Sequence, residues 1–151
     1  MMISEKFLSY LVIKPIRLAH LAFGNRIWPP LEQLAAVVGH IAGTLAAPIL
    51  NHRYAREHSL SPIMHFVDIV EGSLGVQGDH EIIDAHKAKK VVHACPYAQE
   101  LQSISEFCTR LGCIAGQKAF NRINPAVEYE IRSTISQGDS CCEYVYRLQS
   151  Q

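Results

Sequence analysis

The sequence predicts an α+β fold, with N-terminal helices packed on an antiparallel sheet that closes with a C-terminal β-hairpin. Three observations carry this. Apolar residues in the first third of the chain recur at spacings of three and four. From residue 63 the composition turns β-branched and aromatic, and residues 127–148 alternate apolar and polar about a Gly-Asp turn. A chain of 151 residues suits one domain, with 1–60 as a helical part and 61–151 as a mixed sheet and helix part.

Taken in order, Phe7, Leu8, Leu11, Val12 and Ile16 predict a first helix, kinked or restarted at Pro15 and continuing through Leu18 and Leu21 to Gly24. Trp28-Pro29-Pro30 marks a break. A second helix spans residues 31–58 on Leu34, Val37, Val38, Ile41 and Leu45, with an interruption at Pro48. Small residues on it, among them Gly39, Ala42 and Gly43, allow another backbone to come close. Residues 63–70 then read as a strand, followed by a flexible loop through Gly72, Gly75 and Gly78 that carries His80 and His86. A second strand, 90–95, is closed by Pro96. Helix follows at 97–111 and again at 114–120, ending at Asn124-Pro125. In the closing hairpin Val127, Tyr129 and Ile131 alternate with charged residues, 137–140 turn, and Cys142, Tyr144, Tyr146 and Leu148 return.

Composition removes several function classes. Lys+Arg 14 balances Asp+Glu 14, so no basic excess is available to grip phosphates and nucleic acid is excluded as the main partner. Hydrophobic residues at 48% against charged ones at 19% describe a globular chain rather than a disordered one. Residues 34–50 are apolar but sit at the lower length limit for spanning a bilayer and contain His40, so a buried or interface helix is expected in place of a membrane span. Zero net charge favours association, as a homo-oligomer or as a subunit of a complex through helix 31–58. Five cysteines are an odd number, and Lys14 and Arg17 follow the apolar run 7–13 where a signal cleavage site would need small residues. Reduced thiols and a cytoplasmic location are the expectation.

No phosphate-cradling glycine loop, HExxH or GxSxG motif is present, and no CxxC spacing. Strand alternation does put His93 and Cys95 on one face. An imidazole there would activate the thiol as a nucleophile, or both would ligate a divalent metal such as zinc. His65 would join His93 if the two strands pair. Each of these has a plainer counterpart: a free thiol is a small buried hydrophobe, and a strand-end histidine a hydrogen-bonded structural group.

The run His93-Ala94-Cys95-Pro96-Tyr97, then Cys113, then Asn124-Pro125-Ala126-Val127-Glu128-Tyr129, then Gly138-Asp139-Ser140-Cys141-Cys142-Glu143-Tyr144, resembles the L-2-amino-thiazoline-4-carboxylic acid hydrolase-like family over residues 60–148. The resemblance implies hydrolysis of a cyclic, amidine-like carbon–nitrogen bond in a small carboxylate substrate. It points to Cys95, Cys113 and Cys142 as the family cysteines, Glu143 standing where an Asp is usual. His93 and Cys95 would supply the activated nucleophile, Cys113 and Cys142 a metal site or pocket wall, and Arg132 or Arg110 the cation for the carboxylate. Gly116 occupies the place where that pattern has an acidic residue. The closing hairpin is also similar to that of 4-vinyl reductase-type small-molecule-binding domains, which implies a second reading: a non-catalytic ligand-binding domain or an accessory subunit of a larger enzyme complex. Neither reading assigns Cys108 or Cys141, whose roles the sequence leaves open.

Overall fold

The computed structural model describes residues 9–54 and 60–149. Phe7, Leu8 and the predicted helix end at 55–58 lie outside them. A π-helical turn, Ser9–Ile13, runs into α1 (Lys14–Phe23), with Pro15 in the first turn, where a missing N–H is harmless. The break expected at Trp28-Pro29-Pro30 falls earlier. Gly24 adopts φ +57°, a 3-10 turn follows at Gly24–Ile27, and the two prolines open α2 (Trp28–Tyr54) instead of interrupting the chain. Helix α2 passes through Pro48 without ending and is about 40 Å long at 1.5 Å per residue.

Residues 63–70, expected as a strand, lie within a helix, α3 (Ser61–Ser73). Ser61-Pro62 is a helix start, and Ile63, Val67, Val70 and Leu74 recur at helical spacing, which outweighs their β-branched composition. His65 is therefore on a helix and not beside His93 on a paired strand. The loop expected after Gly75 is a strand, β1 (Gln77–Asp84), hairpinned to β2 (Lys87–Ala94). Almost every β1 residue is exposed, so no inward-outward alternation marks it in the sequence.

The helix expected over 97–111 forms in pieces: α4 (Ala98–Leu101), a 3-10 turn at Gln102–Ile104 and a π turn at Cys108–Gly112. That turn leads into α5 (Cys113–Ile123). Strands β3 (Val127–Ser133) and β4 (Cys142–Leu148) make the predicted hairpin, and the antiparallel sheet has the order β1-β2-β4-β3. The turn is set by Gly138 at φ +99° and by Asp139, whose Oδ2 accepts the Thr134 N–H at 2.8 Å.

One sheet face carries Val92, Cys142, Tyr144, Tyr146, Tyr129 and Val127 toward α3 and α5. Phe120 sits at the centre of that layer, edge-on to Tyr129 at 5.0 Å, Tyr146 at 5.6 Å and Phe66 at 6.2 Å between ring centroids. The opposite face buries Val145 beneath ion pairs of Arg132 and Arg147 with Glu130 and Glu143. Helix α2 packs along α5 because Gly39 and Gly43 meet Ala115 and Ala119; a Cβ at either glycine would collide with the facing alanine carbonyl. A second cluster around Trp28, Tyr97, Leu101 and Leu111 ties the N-terminal helices to the 97–111 segment.

Candidate functional site

Helices α2, α3 and α5, the 95–108 segment and the inner sheet face enclose a cavity of about 410 Å³. Its walls are predominantly apolar: Val38 and Ala42 from α2, Val67 and Val70 from α3, Phe120 from α5, Ile131 from β3. The polar side chains that line it are few: Glu71, the tyrosines 97, 129, 144 and 146, Ser136, and the thiols of Cys95, Cys108 and Cys142. Gly116 belongs to this wall. A Cβ there would stand 2.9 Å from the Tyr129 ring, so the aromatic occupies the room an acidic side chain would need.

The residues predicted from the sequence are divided by the fold. Cys95 and Cys142 line the cavity, and Cys113 does not; Cys108 takes its place. Positions 108, 112, 115, 116 and 119 recur at helical spacing along that wall, and 113 falls off the stripe. His93 and Cys95 do not share a site. Strand β2 ends at Ala94, alternation ends with it, and His93 faces an outer cleft where its Nε2 lies 3.4 Å from Asp79. Neither arginine lines the cavity. Arg110 is held by Glu32 at 2.6 Å with its guanidinium over the Trp28 ring, and Arg132 belongs to the outer sheet face with Glu130 and Glu143.

Burial raises the pKa of each cavity thiol, the opposite of what a nucleophile needs. For Cys95 the nearby Tyr97 and Ala98 N–H groups offset it only in part. Cys108 is pushed up to about 11 despite a hydrogen bond from Ser136. Cys142 is raised as well, although its Sγ accepts the Ile135 N–H at 3.3 Å. Cys113, outside the cavity, is raised by burial alone. No histidine lines the cavity, and among the described residues no three His, Cys, Asp or Glu side chains converge to hold a metal ion.

The fold does assemble a charged group that sequence reasoning missed. Lys90, 3% exposed, projects from β2 between Asp68 at 2.7 Å and Glu71 at 2.8 Å on α3, and His80 Nδ1 lies 3.2 Å from Asp68. Burial pulls the Lys90 pKa down, but the hydrogen bonds and charges of Asp68 and Glu71 outweigh it and the net shift is upward. Burial raises Glu71, with Lys90 pulling back. Glu71 borders both the apolar cavity and the outer polar cleft. Reading 63–70 as a strand hid it. On a helix, Val67, Val70, Glu71 and Leu74 fall on one face, and that spacing was the available signal.

No protein-family model and no curated protein matches the chain. Solved structures do resemble it. The phenol-responsive sensory domain of the transcription activator PoxR, crystallised with phenol, superposes with a TM-score of 0.61 at 9% identity, covering 98% of this chain and 76% of that one. A trafficking protein particle complex subunit 3 from Naegleria fowleri, covalently bound to palmitic acid, superposes with a TM-score of 0.55 at 13% identity, covering 97% and 95%. At these identities the likeness establishes the fold: an α+β domain with helices on one face of a four-stranded antiparallel sheet.

Proposed function

We propose that this chain is a non-catalytic small-molecule-binding domain that takes an apolar ligand into the cavity between its helices and the inner sheet face. The single observation that carries the reading is that cavity, about 410 Å³ and almost wholly apolar, within the size range of small-molecule sites. The structural neighbours support it, since one was crystallised with phenol and the other carries palmitic acid. Hydrolysis of a cyclic carbon–nitrogen bond, with or without zinc, draws no support from either source. The thiols at the cavity are held protonated and His93 faces elsewhere. The test is displacement of the neutral fluorophore N-phenyl-1-naphthylamine by small aromatic and aliphatic compounds. Saturable uptake that disappears in the cavity-filling variant Ala42→Phe is expected; uptake unchanged in that variant would place binding elsewhere.

A second reading concerns assembly, and one observation favours it. Leu34, Val37, Val38, Ile41, Leu45 and Ile49 form a continuous stripe along α2, each more than half exposed. Residues 9–51 are long and apolar enough to cross a membrane by length and composition. Yet α2 is broken from α1 at Gly24 and forms one cavity wall, roles that a separate span would surrender. We propose that a second copy of the chain covers the stripe. Light scattering after size exclusion should then report a dimer in the parent and a monomer in Ile41→Glu; a monomeric parent overturns it.

A further inference from the structure

We propose that the cavity selects a neutral hydrophobic ligand carrying one hydroxyl group, which donates its hydrogen bond to Glu71, and that it discriminates against carboxylates. This inference rests on the ligand-binding reading and adds the chemistry of the ligand's polar end. In a cavity with predominantly apolar walls, the Glu71 carboxyl is the one carboxylate that borders the space among the described residues. Its Oε2 is paired with Lys90 at 2.8 Å, which orients the side chain before any ligand arrives, yet this buried oxygen lacks a well-aligned hydrogen bond among the described residues and remains to accept one. Lys90 borders only the outer cleft. A ligand therefore meets the negative member of the pair and not the positive one.

The charge of Glu71 reaches the three tyrosines of the inner sheet face. It adds to the forces that keep Tyr129, Tyr144 and Tyr146 protonated, and is the largest charge acting on Tyr146. Tyr144 is engaged with Cys142, and the Tyr129 and Tyr146 phenols remain hydroxyls able to donate to a ligand oxygen, while Glu71 accepts from it. A hydroxyl satisfies both demands at once. An ether can only accept, and a carboxylate brings a second negative charge into a site of low polarity, where like charges repel strongly. Leaving a buried acceptor without its donor forfeits affinity out of proportion to the size of the change.

The experiment is calorimetric titration of the full chain with para-butylphenol, its methyl ether and para-butylbenzoate, which share one apolar body. The phenol should bind about tenfold tighter than the ether, and the benzoate weaker than both. Glu71→Leu should bring the phenol to the level of the ether while leaving the ether's own affinity within about twofold, with Glu71→Gln between the two. Equal affinities for phenol and ether in the parent, a phenol preference that survives in Glu71→Leu, or tighter binding of the benzoate would each overturn the proposal while leaving the cavity as a binding site. If none of the three compounds binds, both this proposal and the ligand-binding reading fail. Should Glu71→Leu not fold, the parent's phenol-to-ether ratio and the Gln variant decide the matter.

Discussion

Lys90 shows how a single residue can reverse what its strand position would suggest. On β2 the buried positions are 88, 90 and 92, so a lysine stands where an apolar residue would be expected. It is tolerated there because two carboxylates on α3 meet its ammonium. Removing it leaves Glu71 buried without a counter-charge, whereas Asp68, 39% exposed, keeps part of its hydration. Lys90→Met should therefore cost about 3 kcal/mol, the lower end for breaking a buried pair. Urea denaturation checks it, and the double variant Lys90→Met/Glu71→Leu should recover part of the loss. At the same scale, burial makes the cavity thiols poor nucleophiles at neutral pH. With its pKa at about 11, Cys108 should be alkylated by iodoacetamide far more slowly in the folded chain than in urea, as peptide mapping would show.

Among the elements, the contact of α2 with α5 depends on two glycines. Gly39→Ala or Gly43→Ala drives a methyl group into a facing backbone carbonyl, and each should cost about 1–3 kcal/mol. Gly72→Ala is the control: it lies in α3 with nothing near its missing Cβ, and should gain about 0.5–1 kcal/mol through helix propensity. Thermal denaturation of the three variants separates the two effects. The α2 stripe of small residues was legible in the sequence as a surface for close backbone approach, and so was the 127–148 hairpin, because turn chemistry and alternation agreed there. Strand β1 was not legible, since an edge strand exposed on both faces carries no periodic signal. Helix α3 was misread because its β-branched residues were weighed above the Ser61-Pro62 start. That one misreading also concealed Glu71, and with it the one carboxylate at the cavity among the described residues. Cys142 was legible as an inward-facing residue because alternation holds along the hairpin, whereas Cys95 lies beyond the end of β2, where alternation gives no guide.

For the molecule as a whole, the inward face of the sheet sets a dependence on pH. Tyr129, Tyr144 and Tyr146 have pKa values raised above the ordinary 10.0 by burial, and Lys90 lies above its ordinary 10.5. Cys95, Cys108 and Cys142 lie above 9.0. Every one of these groups holds its proton more tightly in the folded chain than in the unfolded one. Its contribution to stability is complete below the unfolded pKa and disappears as pH rises from there through the folded value. The contributions share one sign, so they accumulate. Stability should fall from about pH 9, where unfolded thiols begin to ionise, and fall more steeply past about pH 10 as unfolded tyrosines and lysine join them. Six tyrosines are present, and these three should resist ionisation until the chain opens. In an alkaline titration, the tyrosinate absorbance of these three should therefore appear together with loss of the far-ultraviolet circular dichroism. Smooth ionisation of all six tyrosines with the secondary structure intact would mean that water reaches the inner face of the sheet and that burial does not hold these three phenols protonated.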